Sequence, residues 1–248
     1  MSLWWLGLLL LPGLLFLLGR YAVWLPGRNP EWPRLLMLHR VTPATAASGM
    51  NMPPARFEKL LQLLCKRQYV FVTVSELMDA ADRRRHIALT FDDGFADNYH
   101  YAYPLLKKYG VKATIYLAPD IPDIEKLGPA QIAEMAASGL IEFGAHTLRH
   151  VNLTRLSAAE AEHEIRDSRT KVAALAGSCR SFAYPFGRFS VEHEKMVAAA
   201  GYDSAVSTRK AVELVDGSNR FRLPRISTNG VMDGVQMRIA LAKGRYRI

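Results

Sequence analysis

The sequence predicts an α/β fold built around a parallel β-sheet. Short apolar runs rich in β-branched residues alternate with segments of helical periodicity from about residue 35 to the end of the chain. Half of the 248 residues are hydrophobic, which is ample for one sizeable buried core. Strands that alternate with helices form parallel sheets through right-handed crossovers, so the sheet is either doubly wound or closed into a barrel.

The individual elements follow from apolar periodicity and from glycine, proline and capping residues. Strands are predicted over residues 35–41, 69–74, 86–91, 111–117, 141–145, 180–184, 202–208 and 222–228. Helices are predicted from residue 54 and over residues 95–109, 129–138, 157–176, 191–200 and 231–242. The helix that follows Ser157 has the strongest start signal, because Glu160 completes a capping box with that serine.

The N-terminal segment is predicted to be a membrane anchor. Residues 3–18 are apolar apart from Pro12 and the glycines, and the apolar character resumes after Arg20. About 20 such residues are needed to cross a bilayer. A cleaved signal peptide is the alternative, but residues 1–5 contain no lysine or arginine and no convincing cleavage site follows Leu18. We therefore expect an anchor helix over residues 1–25, a proline-rich linker over 26–34 and a catalytic domain over 35–248.

This anchor would place the protein in a bacterial-type inner membrane. The side of the membrane on which the domain lies stays open. Arginines follow the anchor, so the positive-inside rule favours a cytoplasmic domain, which conflicts with a role on exported polysaccharide.

The chain has 32 basic and 23 acidic residues, a net charge of +9 that suits anionic lipid headgroups, phosphates or nucleic acid. We expect no nucleic-acid partner, since no repeat of aromatic and basic residues is present. Cys65 and Cys179 have neither zinc-site spacing nor a disulfide pattern.

Residues capable of catalysis cluster at the C-terminal ends of predicted strands. They are His39, the pair Asp92 and Asp93, the pair His146 and His150, and the turn Pro185-Phe186-Gly187. Two adjacent carboxylates in different surroundings can serve as a base and a metal ligand, although they are also ordinary turn residues. Histidines four apart lie on one face of a helical turn and could share one metal ion, or could be a coincidental pair. Barrels build their active sites at this end of the sheet, which favours the catalytic interpretation.

Three motifs carry a resemblance to a known family. They are Thr90-Phe91-Asp92-Asp93-Gly94, His146-Thr147-Leu148-Arg149-His150 and Tyr184-Pro185-Phe186-Gly187. Over about residues 35–230 the chain resembles the polysaccharide deacetylase, or NodB-homology, family of carbohydrate esterases (family 4). That resemblance implies a distorted (β/α)7 barrel that binds one divalent metal, usually zinc.

The resemblance also implies residue roles. The metal ligands would be Asp93, His146 and His150, and Asp92 would be the catalytic base. The backbone N–H of Phe186 would hold the oxyanion, in a substrate-binding loop with Tyr184 and Pro185.

Two departures from the family pattern bear on these roles. No Leu-x-His motif follows Gly187, but the strand that ends at His39 is similar to the early histidine strand of the circularly permuted poly-N-acetylglucosamine deacetylase branch, which would make His39 the catalytic acid. Ala183 occupies the place of the arginine that usually braces the base. Arg180, Arg188 or Arg225 could replace that arginine, and the sequence does not choose among them.

The leading functional hypothesis is a metal-dependent hydrolase that removes N-acetyl groups from N-acetylhexosamine units of a cell-envelope polysaccharide or lipid-linked glycan. The alternatives on the same site are a deacylase or deformylase of a lipid-linked amino sugar and an O-acetyl esterase. A non-catalytic glycan-binding module is disfavoured by the complete set of metal ligands and base. A phosphoester hydrolase usually needs a second metal ~3.5–4 Å from the first, and the sequence offers one ligand set.

Overall fold

The fold is a curved sheet of parallel strands with helices on its outer face. The computed structural model describes residues 4–246, with side chains from residue 11 onwards. The strands are β1 (Arg34–Leu38), β2 (Val70–Phe71), β3 (His86–Phe91), β4 (Ala113–Leu117), β5 (Ile141–Ala145), β6 (Ser181–Ala183), β7 (Ser204–Val206) and β8 (Ile226–Ser227). Their order in the sheet is β7-β6-β5-β4-β3-β1-β8, every pairing is parallel, and β2 pairs with the start of β3.

One extended segment, residues 223–227, joins the two edges of this sheet. The Leu223 N–H donates to Ala205 of β7 at 2.9 Å, and the Ser207 N–H donates to Leu223 at 2.8 Å. A few residues later, Ile226 pairs in parallel with Leu36 of β1. The structure is therefore an α/β half-barrel of parallel strands whose edges meet across this segment, in agreement with the parallel fold predicted from the sequence.

Six of the eight α-helices in the described residues, all except the first and the third, pack their apolar faces on the outside of the sheet. The eight are α1 (Trp4–Arg20), α2 (Pro54–Lys66), α3 (Val74–Asp79), α4 (Tyr103–Tyr109), α5 (Pro129–Ala137), α6 (Ala158–Ala176), α7 (Val191–Ala199) and α8 (Gly234–Lys243). Alternate strand residues point to the other face, where Ala88, Tyr116 and Val206 form a second buried cluster. Val74 and Leu77 of α3 join this inner cluster, so α3 closes the end of the half-barrel opposite the predicted site.

Two predicted elements differ from the structure. The strand predicted over 69–74 is only two residues long, because Thr73 and Glu76 form a capping box that starts α3 at Val74. The helix predicted over 95–109 is regular only from Tyr103, and residues Asn98–Ala102 form a π-helical turn. By contrast α6 begins as predicted, with Ser157 and Glu160 in a reciprocal cap.

The N-terminal helix is shorter than the predicted anchor. The helix α1 has 17 residues and ends at Arg20, whereas the anchor was predicted over residues 1–25, of which 1–3 lie outside the described chain. The backbone leaves the helix after Arg20 because Ala22 is buried against the C-terminal residues, where its N–H donates to the Tyr246 carbonyl at 2.8 Å. Within residues 4–246, no helix has both the length and the apolar character to cross a bilayer.

Candidate active site

The two adjacent carboxylates lie where β3 ends and the chain turns sharply. The Asp92 N–H donates to the Leu38 carbonyl at 3.0 Å, which continues the pairing of β3 with β1 by one residue. Asp93 then has φ 73° and Gly94 φ 72°, both in the left-handed region. A side chain at Gly94 would put its Cβ 2.6 Å from the Leu117 side chain, so glycine is required there. This turn sends the two carboxylates to different partners.

Asp93 faces two histidines across a small buried space. Its Oδ1 lies 3.6 Å from His146 Nε2 and 3.3 Å from His150 Nε2. One donor atom from each of the three residues falls within 4.8 Å of the others. These are the three residues that the motif resemblance implied as metal ligands, and the structure brings them together.

The donor set fits a divalent cation in its chemistry and spacing. Two ligands on a tetrahedral ion with bonds of about 2.0–2.1 Å are about 3.3 Å apart, close to the observed separations. Asp93 Oδ1 is buried and has no hydrogen-bond partner among the described residues. A buried oxygen without a partner destabilises the fold, and a bound cation would remove that penalty. His146 Nδ1 lies 2.7 Å from the Ala183 carbonyl, which can only accept. The proton is therefore on Nδ1, and Nε2 is left with the lone pair that a metal needs.

The two histidines are not on a helical turn, contrary to the prediction. Residues 146–150 form a loop in which Thr147 has φ 60° and His150 has φ 57°. Non-glycine residues in this region are strained and concentrate at functional sites. The spacing of four therefore works through a tight loop that turns both rings inward, with ring centroids 4.9 Å apart.

A buried carboxylate on α6, which the sequence analysis missed, holds this loop. Glu164 is fully buried and accepts hydrogen bonds from the N–H groups of Leu148 and Arg149 at 2.9 and 3.1 Å and from Arg149 Nε at 2.7 Å. The sequence did contain a sign of this role. Glu164 falls on the buried face of α6 beside Ile165, where an apolar residue would be expected.

Asp92 is braced by Arg225, so the structure chooses among the three predicted arginines. Arg225 Nη1 and Nη2 donate to the two Asp92 carboxylate oxygens at 2.6 and 2.8 Å, and both side chains are buried. Arg225 also donates to Thr90 Oγ1 and to the Ser207 carbonyl, each at 2.9 Å, and these contacts fix the guanidinium. Burial by itself raises the pKa of the Asp92 carboxyl, but the Arg225 guanidinium outweighs it and holds that pKa well below its usual range.

The other two candidate braces lie elsewhere. Arg180 pairs with Asp79 at 2.8 Å and with Asp203 at 2.5 Å on the surface. Arg188 is exposed. Neither contacts Asp92, and the prediction is wrong for both.

His39 lies directly after β1, beside the end of β3. Because Leu38 pairs with Phe91, His39 stands alongside Asp92 in the neighbouring strand. Its carbonyl accepts a hydrogen bond from Asn98 Nδ2 at 3.2 Å, and its side chain is half-buried.

The turn after β6 contributes one exposed residue and one buried residue. Phe186 has φ 60°, is 56% exposed, and its ring lies 4.6 Å from that of His150, so its side chain borders the centre. The oxyanion role of its backbone N–H stays a prediction. Pro185 is buried behind it. The Tyr184 side chain, predicted to bind substrate, is instead fully buried and stacks on Phe189 at 4.0 Å, where it packs the core.

We expect metal affinity to depend on pH through Asp93. Burial, and then the charge of Asp92, raise the pKa of Asp93 to about 6, whereas burial lowers the pKa of His146 to about 3 and also lowers that of His150. Just below pH 6 a cation must therefore displace the Asp93 proton, and above about pH 6 that carboxylate is already ionised. The zinc dissociation constant, measured by competition with a chelator, should rise about tenfold per pH unit below pH 6 and stay flat above it. If the dissociation constant rose about 100-fold per pH unit, two protons would be displaced, and a histidine would also titrate in this range.

Comparisons with known proteins identify the family of this chain. A family model described as polysaccharide deacetylase matches residues 79–205. A Bacillus subtilis protein named for polysaccharide deacetylation (YxkH) is 30% identical over 220 residues, which cover 86% of this chain and 77% of that protein. The poly-β-1,6-N-acetyl-D-glucosamine N-deacetylase of Staphylococcus aureus is 25% identical over 195 residues, which cover 71% of this chain and 67% of that enzyme.

Solved structures show the same fold. A polysaccharide deacetylase from Bacillus cereus superimposes with a TM-score of 0.76 at 22% identity, covering 85% of this chain and 69% of that one. A Streptococcus pyogenes deacetylase in complex with acetate gives a TM-score of 0.72 at 26% identity, covering 83% of this chain and 96% of that one. The resemblance seen in the three motifs is confirmed: this chain belongs to the polysaccharide deacetylase family, carbohydrate esterases that act on N-acetyl amides.

Proposed function

We propose that this protein is a divalent-metal-dependent N-deacetylase that removes acetyl groups from N-acetylhexosamine units of a cell-envelope glycan. One observation carries the proposal: the donors of Asp93, His146 and His150 converge beside a second carboxylate, Asp92, that Arg225 keeps ionised. The donor set suits zinc. The glycan class is supported by the Staphylococcus aureus relative, whose name specifies poly-β-1,6-N-acetyl-D-glucosamine.

The chain's own residues account for the proton movements of amide hydrolysis. A cation held by Asp93, His146 and His150 would polarise the amide carbonyl and make water more acidic. Asp92 takes the proton from the attacking water as the new C–O bond forms. The backbone N–H of Phe186 donates to the oxyanion that develops on the former carbonyl oxygen.

His39 completes the reaction on the leaving-group side. As the C–N bond breaks, a protonated His39 gives its proton to the departing nitrogen, so that acetate and a free amine are formed. This second proton transfer is needed because the nitrogen would otherwise have to leave as an amine anion, which is a very poor leaving group. The two groups lie on adjacent strand ends, on β1 and β3, which allows each to reach one side of the same amide.

Removal of the metal should abolish acetate release. The experiment assays the full-length chain on β-1,6- and β-1,4-linked N-acetylglucosamine oligomers, after chelation and after zinc is added back. We expect activity to disappear with the chelator and to return with zinc, because the cation supplies the electrophile. Release of acetate that is indifferent to chelation would contradict the proposal.

A pair of histidine variants provides the control for this experiment. His146→Ala removes a ligand and should lose both zinc and activity. His163→Ala removes an exposed histidine on α6 that pairs only with Asp167, and it should keep both. Running the same oligomers with O-acetylated analogues then measures N- against O-deacetylation.

Substitution of His39 tests its role as the acid. We expect His39→Ala to lower kcat about 100-fold, the lower end of the range for a general acid, because the side chain is half-exposed and water can partly replace it. Zinc content should not change, since His39 is not one of the three ligands. If kcat on the oligomers stayed near the wild-type value, the acid would have to be sought elsewhere.

A further inference from the structure

Two cavities share several cationic lining residues. One has a volume of about 350 Å³ and the other about 230 Å³. Arg209, Lys210 and Arg245 line both, so the two cavities lie side by side, and we treat them as one depression. Arg28 and Lys243 line the second cavity. We call this depression the cationic groove, defined by Arg28, Arg209, Lys210, Lys243 and Arg245.

The positive charge of the cationic groove is poorly compensated. Among the described residues that line it, Glu213 is the only carboxylate, and Arg209 already pairs with both Glu213 oxygens. Within residues 4–246, Lys210 and Arg245 form no ion pair. Cations that face one cavity without counter-charges repel each other and attract anions.

Close backbone packing holds these cations together. Gly244, between Lys243 and Arg245, has φ 88°, and a Cβ there would lie 2.7 Å from the Ala211 carbonyl carbon and from Val212 N. Only glycine allows this approach, which fixes the end of α8 against the segment that carries Lys210. The Arg28 N–H donates to the Ala242 carbonyl at 2.8 Å and fixes the N-terminal side of the groove to the same helix. The clustering is thus built into the fold.

One end of the groove reaches the candidate active site. The larger cavity is lined by Thr208 and Ser227, at the C-terminal ends of β7 and β8. Thr208 abuts the Phe186 turn, since a Cβ at Gly187 would lie 1.9 Å from Thr208 Oγ1. The Arg225 N–H donates to the Arg209 carbonyl at 3.0 Å, so the arginine that braces Asp92 is directly connected to a groove residue.

The other end of the groove reaches the base of the apolar helix α1. Leu25 and Pro26 line the smaller cavity, only a few residues beyond the end of α1. In α1 the side chains of Leu14, Leu15 and Phe16 are 54%, 59% and 67% exposed. A ligand that extends from the active site through the groove therefore meets a cationic zone and then an apolar surface.

We propose that the cationic groove binds the phosphate or diphosphate that joins a glycan to a lipid, while the N-acetyl group of the sugar lies at the Asp93, His146 and His150 centre. Such a substrate has three parts in the order that the surface presents them: an amide, an anion and an apolar chain. This inference rests on the proposed deacetylase function and narrows its substrate to a phosphate-linked one.

The test compares two substrates with the full-length, zinc-loaded protein. One is N-acetylglucosamine linked through diphosphate to a short polyprenol, and the other is the neutral N-acetylglucosamine tetramer. The variant Lys210→Gln/Arg245→Gln should raise KM for the diphosphate substrate about 100-fold, roughly tenfold for each charge-assisted hydrogen bond lost. It should leave kcat and KM for the tetramer unchanged. The variant Lys66→Gln/Lys107→Gln removes the same charge from α2 and α4, which do not line the groove, and should affect neither substrate.

Equal effects on the two substrates, or no effect on the diphosphate substrate, would overturn the inference. Vesicles of phosphatidylcholine with and without phosphatidylglycerol separate the possible sources of phosphate. If the groove variant loses only vesicle binding, with both KM values unchanged, the groove binds bilayer phospholipid and the substrate assignment is wrong.

Calorimetry with inorganic diphosphate separates this inference from the proposed function. Binding that is lost in the groove variant would support the anion site even if the wild-type protein released no acetate from either substrate. Conversely, acetate release from the tetramer without diphosphate binding would support the deacetylase function and contradict the proposal that the cationic groove binds phosphate.

Discussion

The substitution Asp92→Asn should lower kcat for acetate release by about 10⁴-fold, the upper end of the range for a general base, and leave zinc bound. An amide of the same shape cannot take a proton from the attacking water. The three proposed metal ligands are untouched, because Asp92 directs both of its oxygens to Arg225. The measurements are acetate release from N-acetylglucosamine oligomers and zinc per chain by metal analysis.

The adjacent residue gives the matched control for this prediction. Asp93→Asn should lose zinc as well as activity, because Asp93 Oδ1 is the atom that faces both histidines. If both variants lost zinc, or both kept it, the assignment of Asp92 as the base and Asp93 as a metal ligand would be wrong. A thermal unfolding measurement on each variant checks that the fold survives.

The candidate metal ligands were implied by the resemblance of short motifs to a known family, and the position of these motifs at strand ends supported that assignment. Once a parallel sheet is inferred, the C-terminal ends of its strands must meet at one edge. That argument brought Asp92 and Asp93 near His146 and His150 without any knowledge of distances. It did not give the local geometry, since the histidines were assigned to a helical turn and instead occupy a loop with two positive φ angles.

The residues that support the site could not be predicted in the same way. Arg225 lies 133 positions from Asp92, and its choice over Arg180 depends on how residues 223–227 cross between the two edges of the sheet. That crossing is a tertiary feature with no local pattern. Glu164 likewise acts on a loop 15 and 16 residues earlier, and only its place on a buried helical face distinguished it.

The largest effect on stability should come from Arg225→Met. This change leaves the Asp92 carboxylate buried without a counter-charge, and breaking a buried ion pair from one side costs about 3–5 kcal/mol. The free energy of unfolding, measured with urea near neutral pH, should fall by that amount. Acetate release should fall as well, because the pKa of Asp92 would rise and the base would no longer be held in place.

The pH dependence of this loss follows from the sign of the pKa shift. In the wild-type protein the pKa of Asp92 is lower when folded than when unfolded, so the ion pair stabilises the fold above the unfolded value of 3.8 and loses its effect as pH falls through the folded pKa. In Arg225→Met, burial raises the pKa instead, so protonation of Asp92 relieves the penalty. The difference in unfolding free energy between the two proteins should therefore be largest near neutral pH and shrink in acid.

Two further variants test whether the loss of stability in Arg225→Met comes from the unpaired buried charge or simply from the loss of an arginine. Arg225→Met/Asp92→Asn removes both charges and should recover much of the stability while remaining inactive, because the pair is coupled. Arg180→Met removes an arginine that contacts two carboxylates, but those contacts are solvent-exposed, and exposed pairs contribute about 0–1 kcal/mol. A loss for Arg180→Met as large as that for Arg225→Met would mean that burial is not what makes the Asp92–Arg225 pair important. We expect Arg180→Met to lower the free energy of unfolding only slightly. Together with a large loss in Arg225→Met, this result would show that the stability of the fold and the ionised state of Asp92 depend on the same buried contact.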